Sequence, residues 1–312
     1  MPFTRPSLLG QASRPETLGN VRARLSRRKP RFLLPGDTGS ELNRVLGGGL
    51  LPGSLILVSG EPGVGKSTLL LQMSDLLMQL TQADLAEVEQ EQTGGQGPVL
   101  YVSGEESVDQ VASRADRLGV DPEGSGMVLW NSSSINAICE AVGSLRPRAV
   151  IVDSIQTMVV DEGVVGSAGS TSQVRESAAA LNVVAKDTGI PIILVGHVTK
   201  SNVIAGPRVL EHIVDVTLFL EGQRAEQLRV LRSLKNRYGS TDEIAVLQMT
   251  EGGVTAVQDA SKAFVQNRFE ADEGGGAITA TMNGNMCGQG ATAGASPPVS
   301  NPGPPCILAG RS

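Results

Sequence analysis

The strongest constraint on this chain is a nine-residue segment that reads Gly-Glu-Pro-Gly-Val-Gly-Lys-Ser-Thr. It matches the pattern Gly-x-x-x-x-Gly-Lys-Ser in full, and it stands between an apolar run, 54–58, and a stretch of helical periodicity, 66–80. The N–H groups of such a glycine-rich turn, together with the N-terminus of the following helix, attract phosphate oxygens. The segment therefore predicts a phosphate-binding loop for ATP, in which Lys66 reaches the β- and γ-phosphates and the Ser67 hydroxyl ligates Mg²⁺. The predicted nucleotide-binding residues are Gly60, Glu61, Pro62, Gly63, Val64, Gly65, Lys66, Ser67 and Thr68.

Apolar runs and helical patterns alternate along most of the chain, which predicts an α/β fold. Continuous apolar runs are typical of a parallel sheet covered on both faces by helices. Four further runs between 214 and 257 have short connections, and they predict an antiparallel extension at one sheet edge. The other predicted strands are 54–58, 99–103, 127–130, 149–152 and 190–196. The predicted helices are 41–46 (after a turn at 36–40), 66–80, 108–118, 135–145 and 175–188.

Composition divides the chain into three predicted parts. Residues 1–34 form a basic and flexible N-terminal arm, because the first 31 residues hold eight Lys or Arg and one acid. The arm is either a linker or an organelle-targeting segment. Residues 35–270 form the ATPase domain, with 81–98 as a solvated insertion. Residues 271–312 form a low-complexity tail or the remnant of a lost C-terminal domain.

Charge, hydropathy and cysteine spacing exclude several classes of protein. The net charge of −6 argues against a protein that coats nucleic acid by bulk electrostatics, so any contact with nucleic acid must come from local basic loops or from the basic N-terminal arm. No apolar run reaches the roughly 18 residues that cross a bilayer, so we expect a soluble chain with no membrane partner. The three cysteines are too far apart to indicate a zinc site or a disulfide framework.

Two acidic positions follow apolar strands and carry the predicted hydrolytic chemistry. Asp153 ends the run 149–152, where an acid in P-loop enzymes holds the Mg²⁺ ion. Glu105 and Glu106 follow the run 99–103, at the edge of a parallel sheet where ligands bind. An acid there can orient and activate water, and Glu105 is the first choice as the catalytic residue.

Other polar residues at strand ends and turns have two interpretations each. His197 ends a predicted strand and either senses the γ-phosphate or serves as a structural hydrogen-bonding group. Lys200 and Arg208 lie in a loop that contacts DNA phosphates or is an ordinary surface loop. Lys235 and Arg237 lie at a predicted turn, where they either present cations to a phosphate or are solvated.

Six motifs, taken together and in order, resemble the RadA/Sms family of DNA repair ATPases, which is related to the RecA recombinases. The resemblance runs from about residue 30 to residue 264, and its most specific block is Lys-Asn-Arg-Tyr-Gly at 235–239, where the usual aromatic is Phe. The motifs are 60–72, 101–107, 152–157, 196–200, 205–212 and 235–239.

The resemblance implies a RecA-like ATPase that binds single-stranded or branched DNA, assembles as a hexameric ring and uses ATP with Mg²⁺ in branch migration. Matched motif to motif, it implies that Glu105 stands where the catalytic Glu does. It also implies that Lys235 and Arg237 act in ATP hydrolysis across subunits, and that the 197–208 segment contacts DNA.

The chain departs from the family pattern at both ends. We find neither the family's four-cysteine zinc finger nor, beyond Ala277–Met282, its C-terminal protease-like domain. Two alternatives therefore stay open, which are a RecA-like ATP-binding regulator and a truncated form without DNA-remodelling activity. The expected compartment is cytoplasmic for a bacterial chain and mitochondrial or plastid for a eukaryotic one.

Overall fold

A computed structural model describes residues 17–25, 31–80, 97–120, 126–161, 166–197, 210–222 and 227–257. Nine strands form one sheet in the order β3-β2-β4-β5-β1-β6-β7-β8-β9. The strands are β1 Leu55–Gly60, β2 Val99–Ser103, β3 Met127–Asn131, β4 Ala149–Asp153, β5 Ile192–His197, β6 Val216–Glu221, β7 Leu228–Asn236, β8 Ile244–Thr250 and β9 Gly253–Ala256. The helices are α1 Leu18–Leu25, α2 Gly36–Val45, α3 Lys66–Met78, α4 Val108–Arg117, α5 Ile135–Leu145 and α6 Thr171–Thr188, with a short 3-10 turn at Ile155–Thr157.

The sheet has the predicted character, with six parallel strands followed by an antiparallel edge. Strands β1 to β6 pair in parallel, and β7, β8 and β9 continue the sheet in antiparallel fashion from β6. Strand β1 lies between β5 and β6, and its residues are all buried. Apolar clusters cover both faces of the sheet, which explains why the parallel strands read as continuous apolar runs.

The first helix of the core differs from the prediction, because α2 begins at Gly36 where a turn was expected. Leu42 and Val45 of this helix are buried, and the Ser40 hydroxyl donates to the Gly36 carbonyl at 2.9 Å. Packing of the apolar face thus overrides the turn-forming composition of 36–40. The same kind of difference occurs at α6, where Ser170 caps a helix that begins one turn before the predicted start at Arg175.

The N-terminal boundary of the core also differs from the prediction. Phe32 and Leu34, which belong to the segment predicted as a flexible arm, are each 2% exposed. Phe32 pairs with Leu50 through two backbone hydrogen bonds of 2.9 and 3.0 Å, and α1 lies within the same predicted arm. The predicted insertion, apart from 97 and 98, and the predicted tail lie outside the described residues.

The outer edge of β9 is joined to the helix that follows the phosphate loop. The Val254 N–H donates to Gln72 Oε1 at 2.7 Å, and Gln72 Nε2 donates back to the Val254 carbonyl at 3.2 Å. The Ala256 N–H donates to the Thr38 hydroxyl at 3.1 Å. Side chains of α2 and α3 therefore satisfy backbone groups at the end of the antiparallel extension.

Candidate nucleotide site and the opposite sheet edge

The phosphate loop connects β1 to α3 at the carboxyl edge of the parallel strands. Gly63 and Gly65 have φ angles of +78° and +107°, which favour glycine. Gly65 is the N-cap of α3, so the loop leads directly into the N-terminal turn of a helix. The backbone thus forms a cradle of the kind that binds phosphate through N–H groups and the helix dipole.

Lys66 is the buried cation of this loop. Lys66 is only 4% exposed, and its ammonium donates to the carbonyls of Gly60 and Glu61 at 3.0 and 2.9 Å. Burial lowers the pKa of Lys66, and the negative charges of Asp153 and Glu105 oppose that effect. A desolvated ammonium that faces two carboxylates is suited to an anionic phosphate group.

Asp153 ends β4 and lies in register with Ser103 at the end of β2. It is 6% exposed, and the buried phenol of Tyr101 donates to its Oδ2 at 2.7 Å. Burial, together with the charge of Asp153, raises the pKa of Tyr101 well above 10, so the phenol stays a hydrogen-bond donor. Tyr101, which the sequence did not single out, therefore fixes the orientation of the Asp153 carboxylate.

The pair Asp153 and Ser67 fits Mg²⁺ in its chemistry. Mg²⁺ takes hard oxygen ligands, and it characteristically binds one or two protein groups together with substrate phosphates and water. Asp153 supplies a carboxylate at the end of β4, and Ser67 supplies a hydroxyl in the first turn of α3. Both groups belong to the edge of the sheet that carries the phosphate loop.

Glu105 and Glu106 have different partners in the structure, whereas the sequence distinguished them only by their position after β2. Glu105 accepts a hydrogen bond from the buried Ser154 hydroxyl, and its Oε1 lies 3.3 Å from His197 Nε2. Glu106 instead forms an ion pair with Arg114 of α4. Only Glu105 of the two is thus joined to residues that follow β4 and β5.

His197 lies at the end of β5, in register with Gly60. Among the described residues, neither ring nitrogen has a hydrogen-bond partner, although both are inaccessible to solvent. The 3.3 Å approach of Nε2 to Glu105 Oε1 is therefore a close contact without hydrogen-bond alignment. Gln156 donates to the His197 carbonyl at 3.4 Å, and its own Oε1 has no partner in the described part of the chain. Polar atoms of this kind are typical of a site that completes its hydrogen bonds with a ligand.

Lys235 and Arg237 lie at the other edge of the sheet, away from the phosphate loop of their own chain. Asn236 at the end of β7 pairs with Val216 at the start of β6, and the chain there lies beside the amino end of β1. The length of β1 alone separates this edge from the phosphate loop by roughly 17 Å, at about 3.3 Å per residue. Within one chain the two cations cannot reach a nucleotide on the loop.

Asp215 is the buried centre of this amino edge. Its carboxylate is bound by Lys186, by Arg237 Nη1 at 3.2 Å and by the Leu55 N–H at 3.0 Å. Burial alone would raise the pKa of Asp215, but hydrogen bonds from Lys186 and Leu55 and the charge of Lys186 lower it overall. Lys235 binds the carbonyls of Glu211 and Val214.

The rest of the 235–239 segment packs against the start of the core. The Tyr238 hydroxyl accepts from Lys186 at 3.2 Å, and its carbonyl accepts from Arg31 at 2.9 Å. Gly239 meets Gly47 so closely that a Cβ on either glycine would lie 2.7 or 2.9 Å from the Cα of the other. Residues 238 and 239 are therefore held by contacts with Lys186, Arg31 and Gly47.

Arg229 is a further residue that sequence reasoning missed. It is 5% exposed at the start of β7, and its Nε donates to the Val64 carbonyl of the phosphate loop at 3.0 Å. The signal was its position two residues before the apolar Leu231, on the core-facing side of a strand. The predicted DNA-contacting residues, Lys200 and Arg208, lie outside the described residues.

None of the helices in the described segments is long and apolar enough to span a membrane.

Comparison with known proteins agrees with this geometry. A family model described as an AAA domain matches residues 25–203. The DNA repair protein RadA of Bacillus subtilis (strain 168) is 46% identical over 244 residues, which cover 78% of this chain and 49% of the relative. The protein of the same name from Streptococcus pneumoniae (strain ATCC BAA-255 / R6) is 43% identical over 282 residues, which cover 90% of this chain and 60% of the relative. The chain thus spans about half the length of the curated relatives that it matches.

A solved structure supports the same class. The crystal structure of the RadB recombinase aligns with a TM-score of 0.50 and 25% identity, over 71% of this chain and 99% of that one. A phosphate loop at the carboxyl edge of this mostly parallel sheet defines a RecA-like P-loop ATPase. Within that class the chain carries an AAA domain and belongs to the RadA family.

Proposed function

We propose that this chain hydrolyses ATP with Mg²⁺, that DNA stimulates the hydrolysis, and that the energy serves the processing of branched recombination intermediates. The observation that carries the proposal is the convergence of Lys66, Asp153 and Glu105. Glu105 contacts His197, which is in register with Gly60 of the phosphate loop, and it accepts a hydrogen bond from Ser154, the residue after Asp153, so the three groups lie together at one edge of the sheet. An anion cradle, a metal-binding acid and a second carboxylate are the parts that phosphoryl transfer to water requires.

The nucleotide-binding roles follow from the loop. The N–H groups of 60–68 and the Lys66 ammonium bind the phosphates, and Lys66 leaves its two loop carbonyls to do so. Asp153, oriented by Tyr101, and Ser67 hold Mg²⁺. When bound, Mg²⁺ neutralises charge on the phosphate oxygens during transfer.

The hydrolytic roles fall to Glu105 and His197. Glu105 orients the attacking water and takes its proton, while the Ser154 hydroxyl holds the carboxylate in place. The His197 ring, whose nitrogens lack hydrogen-bond partners among the described residues, senses the γ-phosphate by hydrogen bonding. Its contact with Glu105 then makes the position of the base dependent on the nucleotide.

Lys235 and Arg237 act on the nucleotide of a neighbouring subunit in a homo-oligomeric ring. Their separation from the loop of their own chain supports this role, because only a second copy brings such cations to a phosphate. Mixing two inactive variants tests it. Lys66→Ala subunits lack a working loop but supply Arg237, while Arg237→Ala subunits supply the loop. Hydrolysis by the mixture well above the sum of the two separate variants is the expected result, and purely additive rates contradict action across subunits.

The DNA partner is supported by the relatives, which are named DNA repair proteins, and by the recombinase that shares the fold. Lys200 and Arg208 are the proposed contacts to single-stranded or branched DNA. The relatives are bacterial, which favours the cytoplasm among the compartments considered.

One measurement tests the function as a whole, which is the rate of ATP hydrolysis with and without single-stranded DNA. We expect stimulation that falls as the salt concentration rises, because phosphate contacts release counterions. Folded protein that binds ATP but shows no stimulation contradicts the DNA-dependent function and favours a RecA-like ATP-binding regulator. Lys66→Ala protein that hydrolyses ATP at the original rate contradicts the site itself.

A further inference from the structure

Arg229 is a buried arginine that has no part in the roles proposed above for the nucleotide site or for residues 235–239. Its Nε donates to the Val64 carbonyl at 3.0 Å, and its Nη1 donates to the Leu228 carbonyl at 2.8 Å. A guanidinium that is removed from water is strongly unfavourable unless its N–H groups find partners. The position of Arg229 is therefore defined by its bonds, and one of those bonds ends inside the phosphate loop.

The bond to Val64 controls the direction of a phosphate-facing group. In a trans peptide the C=O and the following N–H point in opposite directions. Because Arg229 draws the Val64 carbonyl towards β7, the N–H of Gly65 is turned away from β7. Gly65 is the N-cap of α3, and its N–H belongs to the turn that faces phosphate. Arg229 thus acts on the cradle from behind, without touching the nucleotide.

Strand β7 carries Arg229 at one end and the signature residues Lys235 and Asn236 at the other. Residues 230–236 of β7 pair with β6, with one register shift, and residues 228–232 pair with β8, so the two pairings overlap at 230–232. Every part of β7 between Arg229 and Asn236 is therefore joined to a neighbouring strand, and a displacement of one end is transmitted to the other through this paired backbone. The phosphate loop at one edge of the sheet and the 235–239 segment at the opposite edge are consequently joined by a single strand.

We propose that Arg229 is a positioning residue of the phosphate loop, which sets the Val64–Gly65 peptide for phosphate binding and couples the loop through β7 to residues 235–239. The inference rests on the nucleotide site proposed above. It adds a residue that acts through the loop backbone, and it adds a connection between the two edges of the sheet.

The first test is the affinity of the full chain for ADP and for a non-hydrolysable ATP analogue. Arg229→Gln removes the charge and the Nε donor, and we expect both affinities to fall by about tenfold or more, the size typical of losing a hydrogen bond from a charged group. Equal losses for the two nucleotides are expected, because the Gly65 N–H belongs to the cradle and not to the γ-phosphate sensor.

Arg232→Gln is the matched control, because it changes the same residue type on the same strand. Arg232 has a side chain that is 45% exposed and pairs with Glu221 at 3.1 Å, away from the loop. We expect its nucleotide affinities to equal those of the unchanged protein. Lys66→Ala serves as the second control, because its loss of binding shows that the nucleotide site itself is assigned correctly.

The second test measures hydrogen–deuterium exchange at saturating ADP, where the difference in affinity no longer matters. In the unchanged protein and in Arg232→Gln, we expect ADP to slow exchange both at 60–68 and at 235–239. In Arg229→Gln, ADP should still slow exchange at 60–68 but not at 235–239. A merely structural role for Arg229 does not predict this selective loss.

Three outcomes overturn the proposal while Lys66→Ala still loses binding. They are an Arg229→Gln affinity within twofold of the unchanged protein, protection at 235–239 that survives in Arg229→Gln, and an absence of that protection in the unchanged protein. If Lys66→Ala binds normally, the proposed nucleotide site fails instead. Should Arg229→Gln not fold, Arg229→Lys, which keeps the charge but loses the planar fork, is judged by the same criteria.

Discussion

The two ends of β1 carry polar clusters of opposite design. At the carboxyl end, His197 and Gln156 hold buried polar atoms that have no partner among the described residues, and Lys66 is bound only by carbonyls of its own loop in the contacts described. At the amino end, Asp215 is bound by Lys186, Arg237 and a backbone N–H. One cluster is completed within the chain, and the other is left for a ligand to complete.

The two clusters should therefore contribute to different free energies, one to ligand binding and the other to unfolding. A polar group that waits for a ligand lowers the stability of the free protein and contributes to binding. A polar group that is paired within the chain contributes to the free energy of unfolding. Substitution of Lys66 and of Asp215, one at each end of β1, should therefore separate nucleotide binding from stability.

The largest expected effect is that of Lys66→Ala. We expect ATP hydrolysis to fall about a thousandfold, because the ammonium stabilises the phosphoryl oxygens directly. The stability of the free protein should not fall. Burial lowers the pKa of Lys66 from 10.5, so the ammonium is less favourable in the folded than in the unfolded state and its removal relieves that penalty. Urea unfolding without nucleotide measures this, and a loss above about 1 kcal/mol contradicts the comparison.

Glu105→Gln should reduce hydrolysis about a hundredfold while ATP still binds, because an amide cannot accept the proton of water. Glu106→Gln is its matched control, since Glu106 is paired with Arg114, whereas Glu105 is bound by Ser154. We expect that variant to hydrolyse ATP within about twofold of the original rate, with a stability change below about 1 kcal/mol for a partly exposed pair. Equal losses in the two variants contradict the assignment.

These two variants also show how far the sequence could lead. The phosphate loop and Asp153 are local patterns, so they could be recognised from spacing alone. The choice between Glu105 and Glu106 depends on Arg114 and Ser154, which come from other elements. Glu105 and Glu106 are neighbours after the same strand, so the sequence alone does not show which partner each side chain contacts.

The amino-end cluster could not be predicted, because its parts are distant in the chain. Lys186 and Asp215 are 29 residues apart, and Arg237 follows 22 residues after Asp215. The pairing of β6 with β1 and with β7 brings Asp215 and Arg237 together beside β1. The sequence therefore indicated the sheet and its antiparallel edge correctly, yet it did not indicate that Arg237 pairs with the buried Asp215.

Asp215→Asn should reduce the free energy of unfolding by about 2 kcal/mol at neutral pH, because it removes the buried charge that pairs with Lys186 and Arg237. The loss is moderate because both cations are partly exposed to water. Nucleotide affinity should stay unchanged.

The same variant has a predicted pH dependence. The pKa of Asp215 is lowered below 3.8, so the stability that its charge contributes is present above that pH and is lost as the pH falls through the folded-state pKa. Unfolding measured from neutral pH down to acid should show the variant and the unchanged protein converging. A constant difference argues against the charge as its cause.

Tyr238→Phe is the smallest expected change at the amino end. It removes the hydroxyl that accepts from Lys186 at 3.2 Å, while the ring and its contacts stay. We expect a stability loss below about 1 kcal/mol and unchanged hydrolysis. A large loss of hydrolysis in a stable protein would place the hydroxyl in the chemistry of the site.

The contact between Gly47 and Gly239 has a consequence for how this family can evolve. A Cβ at either position would meet the backbone of the other glycine at less than 3 Å, and no rotamer change can relieve a backbone contact. Neither position can therefore acquire a side chain by a single substitution without moving α2 or the signature segment. The two positions are therefore coupled, because a side chain at either one requires the backbone at the other to move.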